Sequence, residues 1–157
     1  MPVCQGEIPD CKDLCRFFKR KKSLLEIFSK EYPIEWIDEG ISKEVMKQFN
    51  ICYSIPQNKI VIPHYDIDGR FIGLRGRSLC KEECELYGKY RPIHLNNQWY
   101  SHPLGMNLYN LNNSKANINR TGKAIIFEGE KSTLQYQSYF GFENDITVAC
   151  CGSSVSA

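Results

Sequence analysis

The sequence lacks any apolar run approaching the roughly 20 residues needed to cross a bilayer. Its first residues include acids and cysteines, and they lack the apolar core of a secretory signal peptide. These two absences predict a cytoplasmic protein that does not act at a membrane. Internal repeats and low-complexity tracts are absent too. The 157 residues are therefore expected to form one domain, or a small domain joined to part of another.

A strong excess of charge of one sign is also missing. The formal net charge is only +2, so no basic field over the whole chain indicates a nucleic-acid partner. A nucleic acid would have to be held by a local patch instead. Basic residues cluster at 16–22 and again between Arg70 and Arg91. The first cluster is more typical of a solvated helix face than of a binding site.

Cysteine is not scarce, but its spacing is not that of a zinc ribbon, which pairs two short Cys-x2-Cys knuckles. Cys4, Cys11 and Cys15 are separated by six and three residues, and Cys80 and Cys84 by three. Four thiolates could still be assembled from the first three cysteines and a distant partner, so zinc binding stays open beside the alternative of scattered thiols. The cysteines beside apolar segments are expected to be small core residues: Cys52, Cys150 and Cys151.

Apolar residues recur near a helical period in the first third of the chain. Over 14–32 this pattern predicts a helix that Pro33 ends. A second, short helix is expected to follow, with Ser42 as its cap and with Val45 and Phe49 on one face.

The period then changes to that of strands. Residues 59–63 and 70–75 are apolar, strand-like runs, and the Asp68-Gly69 pair between them favours the positive φ angles of a tight turn. Two antiparallel strands joined at Asp68-Gly69 are therefore predicted. Residues 79–119 are rich in polar residues and predict an irregular surface region with one short helix near 107–115.

The last third predicts a parallel sheet. Residues 123–127 are a continuous apolar run, the pattern of a strand buried on both faces. A helix over 131–140 and a second buried strand over 146–149 follow, so a parallel strand–helix–strand unit is expected. We therefore predict an α/β chain. An α+β subdomain with an antiparallel sheet occupies 1–117, the first half of a parallel sheet occupies 118–157, and the boundary falls within 117–122.

Ligands of open parallel sheets gather at the carboxyl ends of the strands. Glu128 comes directly after the first of these two strands, and Gly152 comes shortly after the second. A carboxylate at that edge is placed to hold Mg²⁺ or to act in acid–base chemistry. The alternative is that Glu128 caps the following helix, and the short motif Glu-Gly-Glu favours neither interpretation.

A longer sequence pattern helps to decide between these two interpretations of Glu128. "AIIFEGEKSTLQYQSYFG" followed by "ITVACCGSSVS" resembles the opening of a toprim domain, the metal-binding module of bacterial-type primases, topoisomerases and some nucleases. Upstream, "KIVIPHYDIDGRFIGLRGRSL" resembles the primase hairpin and "GKYRPI" its Lys-Tyr-Leu-Asn segment. "PLGMNLYNLNNSK" and "WIDEGISKEVMKQFNICYS" resemble the segment before toprim and the helical lead-in. These blocks follow family order, so the chain resembles the catalytic core of a bacterial-type (DnaG-like) DNA primase, of phage or mobile-element character.

The resemblance implies an activity. Such primases are DNA-directed RNA polymerases that synthesise short RNA primers on single-stranded DNA from ribonucleoside triphosphates, with Mg²⁺ or Mn²⁺ at the toprim domain and a replicative helicase as partner. Glu128 matches the toprim glutamate, expected as metal ligand or general base. Two rival functions stay open: a non-catalytic module that binds single-stranded DNA, and a fragment of another toprim enzyme, a nuclease or a topoisomerase.

The resemblance also implies roles for basic and aromatic residues. Arg77 matches the arginine of Gly-Arg and Lys89 the lysine of Lys-Tyr, which contact template or nucleotide phosphate in the family. An Arg fork and a Lys point charge both suit phosphate oxygens. Arg75 and Arg91 are possible neighbours on the same patch, and Tyr90 could stack on a base.

Two departures from the family pattern stand out. Leu104 precedes Gly105 where many members carry a lysine, so one phosphate contact is lost or is supplied by Lys81 or Lys115. The toprim Asp-x-Asp motif and the primase zinc ribbon are also missing from the sequence. Because two-metal transfer needs several carboxylates, this chain alone is expected to be an inactive fragment of the enzyme.

Overall fold

The computed structural model describes residues 24–95, 97–100 and 107–152. After a 3-10 turn at Leu25–Ile27, the helices are α1 (Ile34–Asp38), α2 (Lys43–Gln48), α3 (Lys81–Tyr87), α4 (Leu111–Thr121) and α5 (Glu130–Phe140). The strands are β1 (Cys52–Ser54), β2 (Lys59–Tyr65), β3 (Phe71–Ser78), β4 (Tyr90–Leu95), β5 (Gln98–Tyr100), β6 (Ile125–Phe127) and β7 (Thr147–Ala149). Cys4, Cys11, Cys15, the basic cluster at 16–22 and the Leu104-Gly105 pair lie outside the described residues.

Strands β1 to β5 form one antiparallel sheet in sequence order. Its centre is the predicted hairpin, in which β2 pairs with β3 from Lys59 opposite Ser78 to Tyr65 opposite Phe71. The turn is closed by Asp66, whose Oδ1 accepts the backbone N–H groups of Asp68 and Arg70. The hairpin prediction is confirmed.

The helix predicted over 14–32 does not reach Pro33: within the described residues it is helical only over 24–27. After the 3-10 turn, Ser29 forms an antiparallel bridge with Tyr53 instead of continuing a helix. The apolar residues Leu24 and Phe28, which suggested the helical period, are buried against the sheet. Pro33 starts a helix instead of ending one: it is the N-cap of α1, because its fixed φ suits the entry to a helix.

The second predicted helix is confirmed as α2. The Ser42 hydroxyl accepts the backbone N–H of Val45, which satisfies one of the unpaired donors at the helix start. The irregular region predicted over 79–119 is corrected, since it also contains α3, β4 and β5. The short helix predicted near 107–115 is present as α4, but it begins later, at Leu111, and ends at Gly122 in the left-handed conformation.

Strands β6 and β7 pair in parallel and α5 connects them, which confirms the strand–helix–strand unit. Burial on both faces holds for β7 but not for β6, where Ile126 is 55% exposed. The other edge of β7 is covered by Tyr109, which pairs with Ala149. None of the helices within the described ranges has the length and apolarity needed to cross a membrane.

The core has two parts, one on each face of the antiparallel sheet, because successive side chains of a strand point to opposite faces. Ile60 and Ile62 face a cluster that also holds Leu134 and Ala149 of the parallel unit. Val61 faces the second cluster. The cysteines expected in the core are buried: Cys52, Cys150 and Cys151. The division into 1–117 and 118–157 stays a prediction, and α4 runs across it.

Candidate functional site

The predicted site lies at the carboxyl ends of β6 and β7. Backbone pairing continues past both strands, since the carbonyl of Phe127 accepts the N–H of Cys150 at 3.0 Å and the carbonyl of Glu128 accepts that of Gly152 at 3.2 Å. Glu128 and Gly152 are therefore neighbours at one edge, as the sequence predicted. The Glu128 side chain is exposed there. It is not a helix cap, because the N-cap of α5 is Gly129 and no side chain caps that end.

The second glutamate of the Glu-Gly-Glu motif points inward, and sequence reasoning missed it. Glu130 is fully buried, and its Oε1 accepts a hydrogen bond from Nη1 of Arg75 at 2.9 Å. The same oxygen lies 3.1 Å from Nε2 of His64, which is also fully buried. The only signal in the sequence was the repeated glutamate itself, since burial and partners depend on the tertiary structure.

Charge in this cluster is carried by Glu130 and Arg75. Burial by itself would raise the pKa of Glu130, but the hydrogen bond from His64 and the positive charge of Arg75 outweigh burial and hold that pKa well below its usual range. Burial lowers the pKa of His64, which is the stronger effect there, so we assign a neutral imidazole that donates its Nε2–H to Glu130. The guanidinium of Arg75 is then the cation that balances the carboxylate.

Arg75 joins the antiparallel sheet to the parallel unit. Besides Glu130, its Nη1 donates to the carbonyl of Cys151 at 2.9 Å, just past the end of β7. Its guanidinium carbon lies 4.5 Å from the centre of the Tyr90 ring, and its side chain is only 16% exposed. These contacts favour an internal role for Arg75 over the nucleic-acid contact that the sequence suggested.

Arg77 lies two residues further along β3, on the same face as Arg75. Tyr90 is its cross-strand partner, and the guanidinium carbon lies 5.4 Å from the centre of that ring. The Nε of Arg77 is buried and has no hydrogen-bond partner among the residues that the structure describes. Tyr90 packs against the core beneath both arginines, and burial raises its pKa. Its ring supports the arginines, so the predicted base stacking gains no support.

Arg77 and Lys89 line one groove of about 320 Å³. Lys89 is exposed, and its backbone carbonyl accepts the N–H of Ser78, which fixes the start of β4 beside the end of β3. Lys81, considered above as a substitute phosphate contact, lines the same groove. Acids line it as well, namely Glu35, Glu39 and Glu85. Glu39 forms an ion pair with Lys131, so part of this negative charge is balanced locally.

Two other cations do not line this groove. Arg91 stacks on the ring of Tyr87 at 4.9 Å, and it follows Tyr90, so its side chain leaves the opposite face of β4. Lys115 donates from Nζ to the carbonyl of Ile67 at the tip of the hairpin. The structure thus brings together Arg77, Lys89 and Lys81, and leaves Arg91 and Lys115 elsewhere.

Two places offer metal ligands. Glu128 supplies the oxygen donor that Mg²⁺ prefers, although it belongs to no cluster of three metal-ligating side chains in the described ranges. The cluster that was found is His64, Glu130 and Cys151, whose ligand atoms all lie within 4.8 Å of one another. Its mixed donors do not suit Mg²⁺. Burial raises the pKa of the Cys151 thiol, and Arg75 already balances Glu130, so a metal would have to displace that arrangement.

A curated sequence relative is similar to nearly all of the chain. No family model matches the chain. The chain is 40% identical over 162 residues to the SPbeta prophage-derived uncharacterized protein YorJ of Bacillus subtilis, an alignment that covers 95% of this chain and 42% of that relative.

Solved structures share its fold. The Aquifex aeolicus primase (zinc-binding and RNA polymerase domains) matches 99% of the chain with a TM-score of 0.69 at 19% identity. The RNA polymerase domain of Mycobacterium tuberculosis primase DnaG matches 94% with a TM-score of 0.69 at 11% identity. A DnaG primase catalytic domain bound to single-stranded DNA matches 94% with a TM-score of 0.65 at 16% identity.

The predicted α/β fold class is confirmed. The resemblance to a DnaG-like catalytic core is confirmed at the level of the fold. The chain spans about half the length of the proteins it matches: 42% of the prophage-derived relative, 46% of the Aquifex chain and 59% of the other two.

Proposed function

We propose that this chain is the nucleic-acid-binding part of a DNA primase core together with the start of its toprim domain. The whole protein would synthesise short RNA primers on single-stranded DNA from ribonucleoside triphosphates. A phage or mobile-element origin is supported by the prophage-derived relative. A replicative helicase would be its partner during replication.

The convergence of Arg77 and Lys89 on one groove carries the proposal. Arg77 lies on β3 and Lys89 directly precedes β4, and the two residues stand in different sequence motifs. Arg77 also lies one pleat repeat, about 7 Å, from Arg75, whose guanidinium contacts the end of β7. Arg75 therefore lies between the groove and the edge where Glu128 lies. A DNA strand bound in the groove would have to continue past Arg75 to bring its phosphates near that carboxylate.

The chemistry assigned to each residue follows from its side chain. The Arg77 fork and the Lys89 ammonium would bind phosphate oxygens of template or triphosphate and neutralise their charge. Arg75 and Tyr90 would position Arg77, because its guanidinium lies over the Tyr90 ring. Glu128 would act as an oxygen ligand of Mg²⁺ or Mn²⁺, which would supply stabilisation of the charge that develops on the transferred phosphoryl group.

A second function is a module that binds single-stranded DNA without catalysis. It is favoured by the isolation of Glu128, since no cluster of three ligating side chains includes it within the described ranges. The two functions predict different responses to metal. Binding by electrostatics alone needs no Mg²⁺, whereas primer synthesis does.

The first experiment measures binding of a labelled single-stranded oligonucleotide by fluorescence anisotropy, at two salt concentrations, with and without Mg²⁺. Arg77→Ala and Lys89→Ala should each weaken binding by about fivefold to tenfold and lower the salt slope by about one, as expected for a lost phosphate contact. The matched control is Lys123→Ala, an exposed lysine just before β6, at the opposite end of that strand from Glu128. Its affinity should equal that of the wild type.

Catalysis is tested by incorporation of labelled ribonucleotides in the complete protein. Glu128→Gln should abolish primer synthesis while DNA binding stays unchanged, because the amide keeps the size of the carboxylate and loses its charge. If Arg77→Ala and Lys89→Ala bind DNA as Lys123→Ala does, the groove is not the DNA site. If Glu128→Gln retains synthesis, Glu128 is not the metal ligand.

A further inference from the structure

A separate pocket of about 200 Å³ lies between the tip of the hairpin, the end of α2 and the start of α4. Its asparagine wall lies at the start of β7, at the opposite end of that strand from Glu128, because Asn110 donates to the carbonyl of Thr147. Five of its lining residues have side-chain amides: Gln48, Asn50, Asn110, Asn112 and Asn113. None of the residues that line it is charged.

The orientation of three of these amides follows from a chain of hydrogen bonds that starts at a buried carboxylate. Asp145 is 4% exposed, and its Oδ1 accepts the backbone N–H and the hydroxyl of Thr147, so its carboxyl oxygens act as acceptors here. Asn110 therefore presents its Nδ2 to Asp145, at 2.6 Å, and its Oδ1 accepts Nδ2 of Asn113 at 3.0 Å. The Oδ1 of Asn113 in turn accepts Nδ2 of Asn112 at 3.0 Å. The chain of amides ends at Oδ1 of Asn112, an acceptor with no partner in the part of the chain described.

A second acceptor faces the same pocket from the other wall. Asn50 donates from Nδ2 to the hydroxyl of Tyr65 at 3.2 Å, which leaves its Oδ1 without a partner in the described ranges. Gln48 makes no side-chain hydrogen bond there, so its amide can turn to suit a ligand. Aromatic rings complete the walls, with Phe49 stacked on Tyr109 at 5.8 Å between centroids.

These features select the class of ligand. A charged ligand would lose solvation without meeting a charge of opposite sign, because none of the lining residues is charged, so the pocket suits a neutral polar ligand better. The volume of about 200 Å³ suits one small heterocycle. Asn and Gln amides pair with the donor and acceptor groups of base edges.

We propose that this pocket binds a single nucleobase and prefers bases that carry an exocyclic amino group. The preference follows from the two acceptors, Oδ1 of Asn50 and Oδ1 of Asn112, which need N–H donors from the ligand. The base comes either from a free nucleoside or from an unpaired position of a nucleic-acid strand. The proposal does not rest on the groove of Arg77 and Lys89, and its site shares no residue with that groove.

The test titrates the ¹⁵N-labelled chain with adenosine, cytidine and thymidine and follows the side-chain amide resonances by NMR. The amides of Asn112 and Asn50 should shift saturably, with cytidine and adenosine binding more tightly than thymidine. Asn112→Ala should weaken binding by about tenfold, since it removes one acceptor from the site. Asn119→Ala is the matched control, because Asn119 is exposed two turns later on the same helix.

Oligonucleotides separate the two sources of the base. If oligo(dC) shifts these amides, and neither free nucleosides nor an abasic strand does, a nucleic-acid strand delivers the base. If nucleosides suffice, the ligand is a free nucleoside or nucleotide. The proposal is overturned if none of these ligands shifts the amides, or if Asn112→Ala binds like the wild type. Nucleosides carry no phosphate, so failure of the DNA groove would leave this result unchanged.

Discussion

Arg75 and Arg77 stand two residues apart on one strand, but their surroundings differ. Arg75 is paired with the fully buried Glu130 and with the carbonyl of Cys151. Arg77 lines a groove, and its Nε has no partner among the described residues. Arg75 should therefore matter for stability, and Arg77 for binding.

Arg75→Ala is expected to lower the free energy of unfolding by about 3 kcal/mol or more, because it leaves the Glu130 carboxylate buried without a counter-charge. Arg77→Ala should cost less than about 1 kcal/mol of stability and reduce affinity for DNA. Urea denaturation of both variants measures the free energy of unfolding. Arg75→Met combined with Glu130→Leu is the control, since it removes both charges and should recover much of the loss. Equal losses for the two arginine variants would contradict this division of roles.

The buried pair also makes stability depend on pH. Because the pKa of Glu130 is lowered in the folded state, its contribution is present above about pH 4.5 and is lost as pH falls towards 2. The pKa of His64 is lowered as well, so the folded state favours the neutral imidazole and loses stability as pH falls below 6.5. Both effects have the same sign, and the protein should be less stable in acid.

The variant His64→Gln tests how much His64 contributes to the pH dependence of stability. The urea midpoint of the wild type should fall between pH 7.5 and pH 5.5, and the fall should be smaller in the variant, which has no group at this position that titrates in that range. The exposed His94 serves as an internal control through His94→Gln, which should keep the pH dependence of the wild type. An unchanged pH dependence in His64→Gln would mean that His64 does not titrate as its burial implies.

At the scale of elements, the antiparallel sheet depends on a close approach of β3 to β4 at Gly76. A Cβ at this position would lie 2.6 Å from Cδ1 of Ile93 and 3.2 Å from the carbonyl oxygen of Arg91. Gly76→Ala should therefore destabilise the protein by about 1–3 kcal/mol through overpacking. Thermal unfolding followed by circular dichroism measures this loss.

A double-mutant cycle identifies the cause of that loss. Ile93→Val removes Cδ1, the atom nearest the added Cβ, and should cost about 1 kcal/mol by itself. The free energy lost in the double variant should be smaller than the sum of the losses in the two single variants, by more than about 0.5 kcal/mol. Full additivity would show that the strain of Gly76→Ala comes instead from the other close neighbours of the added Cβ, the carbonyl oxygen of Arg91 and Cδ of Lys59.

Elements with a strong local pattern were predictable from the sequence. The hairpin was found from Asp68-Gly69 between two apolar runs, and α2 from its Ser42 cap. The failures have a common physical reason. Leu24 and Phe28 have helical spacing, but they fill the second core cluster beside a bridge from Ser29, so tertiary burial overrode the periodicity. A helix was predicted near 107–115, but its bounds were not, because the start of α4 is set by tertiary hydrogen bonds of its N-cap residue Asn110 to Asp145.

The same distinction explains which site residues could be found. Glu128, Arg77 and Lys89 stand in motifs, and exposed charged groups at strand ends can be inferred from order along the chain. The pairing of Glu130 with His64 joins residues from two different sheets, and no local pattern encodes it. Motifs predicted where chemistry would lie, and only the fold showed how Arg75 is held there.

At the scale of the whole molecule, the antiparallel sheet and the parallel unit share one core. Trp36, Ile60 and Ile62 belong to the same cluster as Leu134 of α5 and Ala149 of β7. The buried ion pair of Arg75 and Glu130 crosses between the same two parts. A boundary near residue 117 therefore separates parts of the sequence that are packed together, and the two parts should unfold together.

Leu134→Ala tests this cooperativity from the parallel side. Leu134 is fully buried, so its truncation should cost about 2–5 kcal/mol. Trp36 reports on the other side, because it is 1% exposed in the same cluster. The variant Trp99→Phe removes the exposed tryptophan, so that Trp36 is the remaining fluorophore of its kind. In that background, Leu134→Ala should shift the Trp36 fluorescence transition and the circular-dichroism transition to the same lower urea concentration. Two separated transitions, with Trp36 unaffected by Leu134→Ala, would instead show that residues on either side of 117 fold as independent domains.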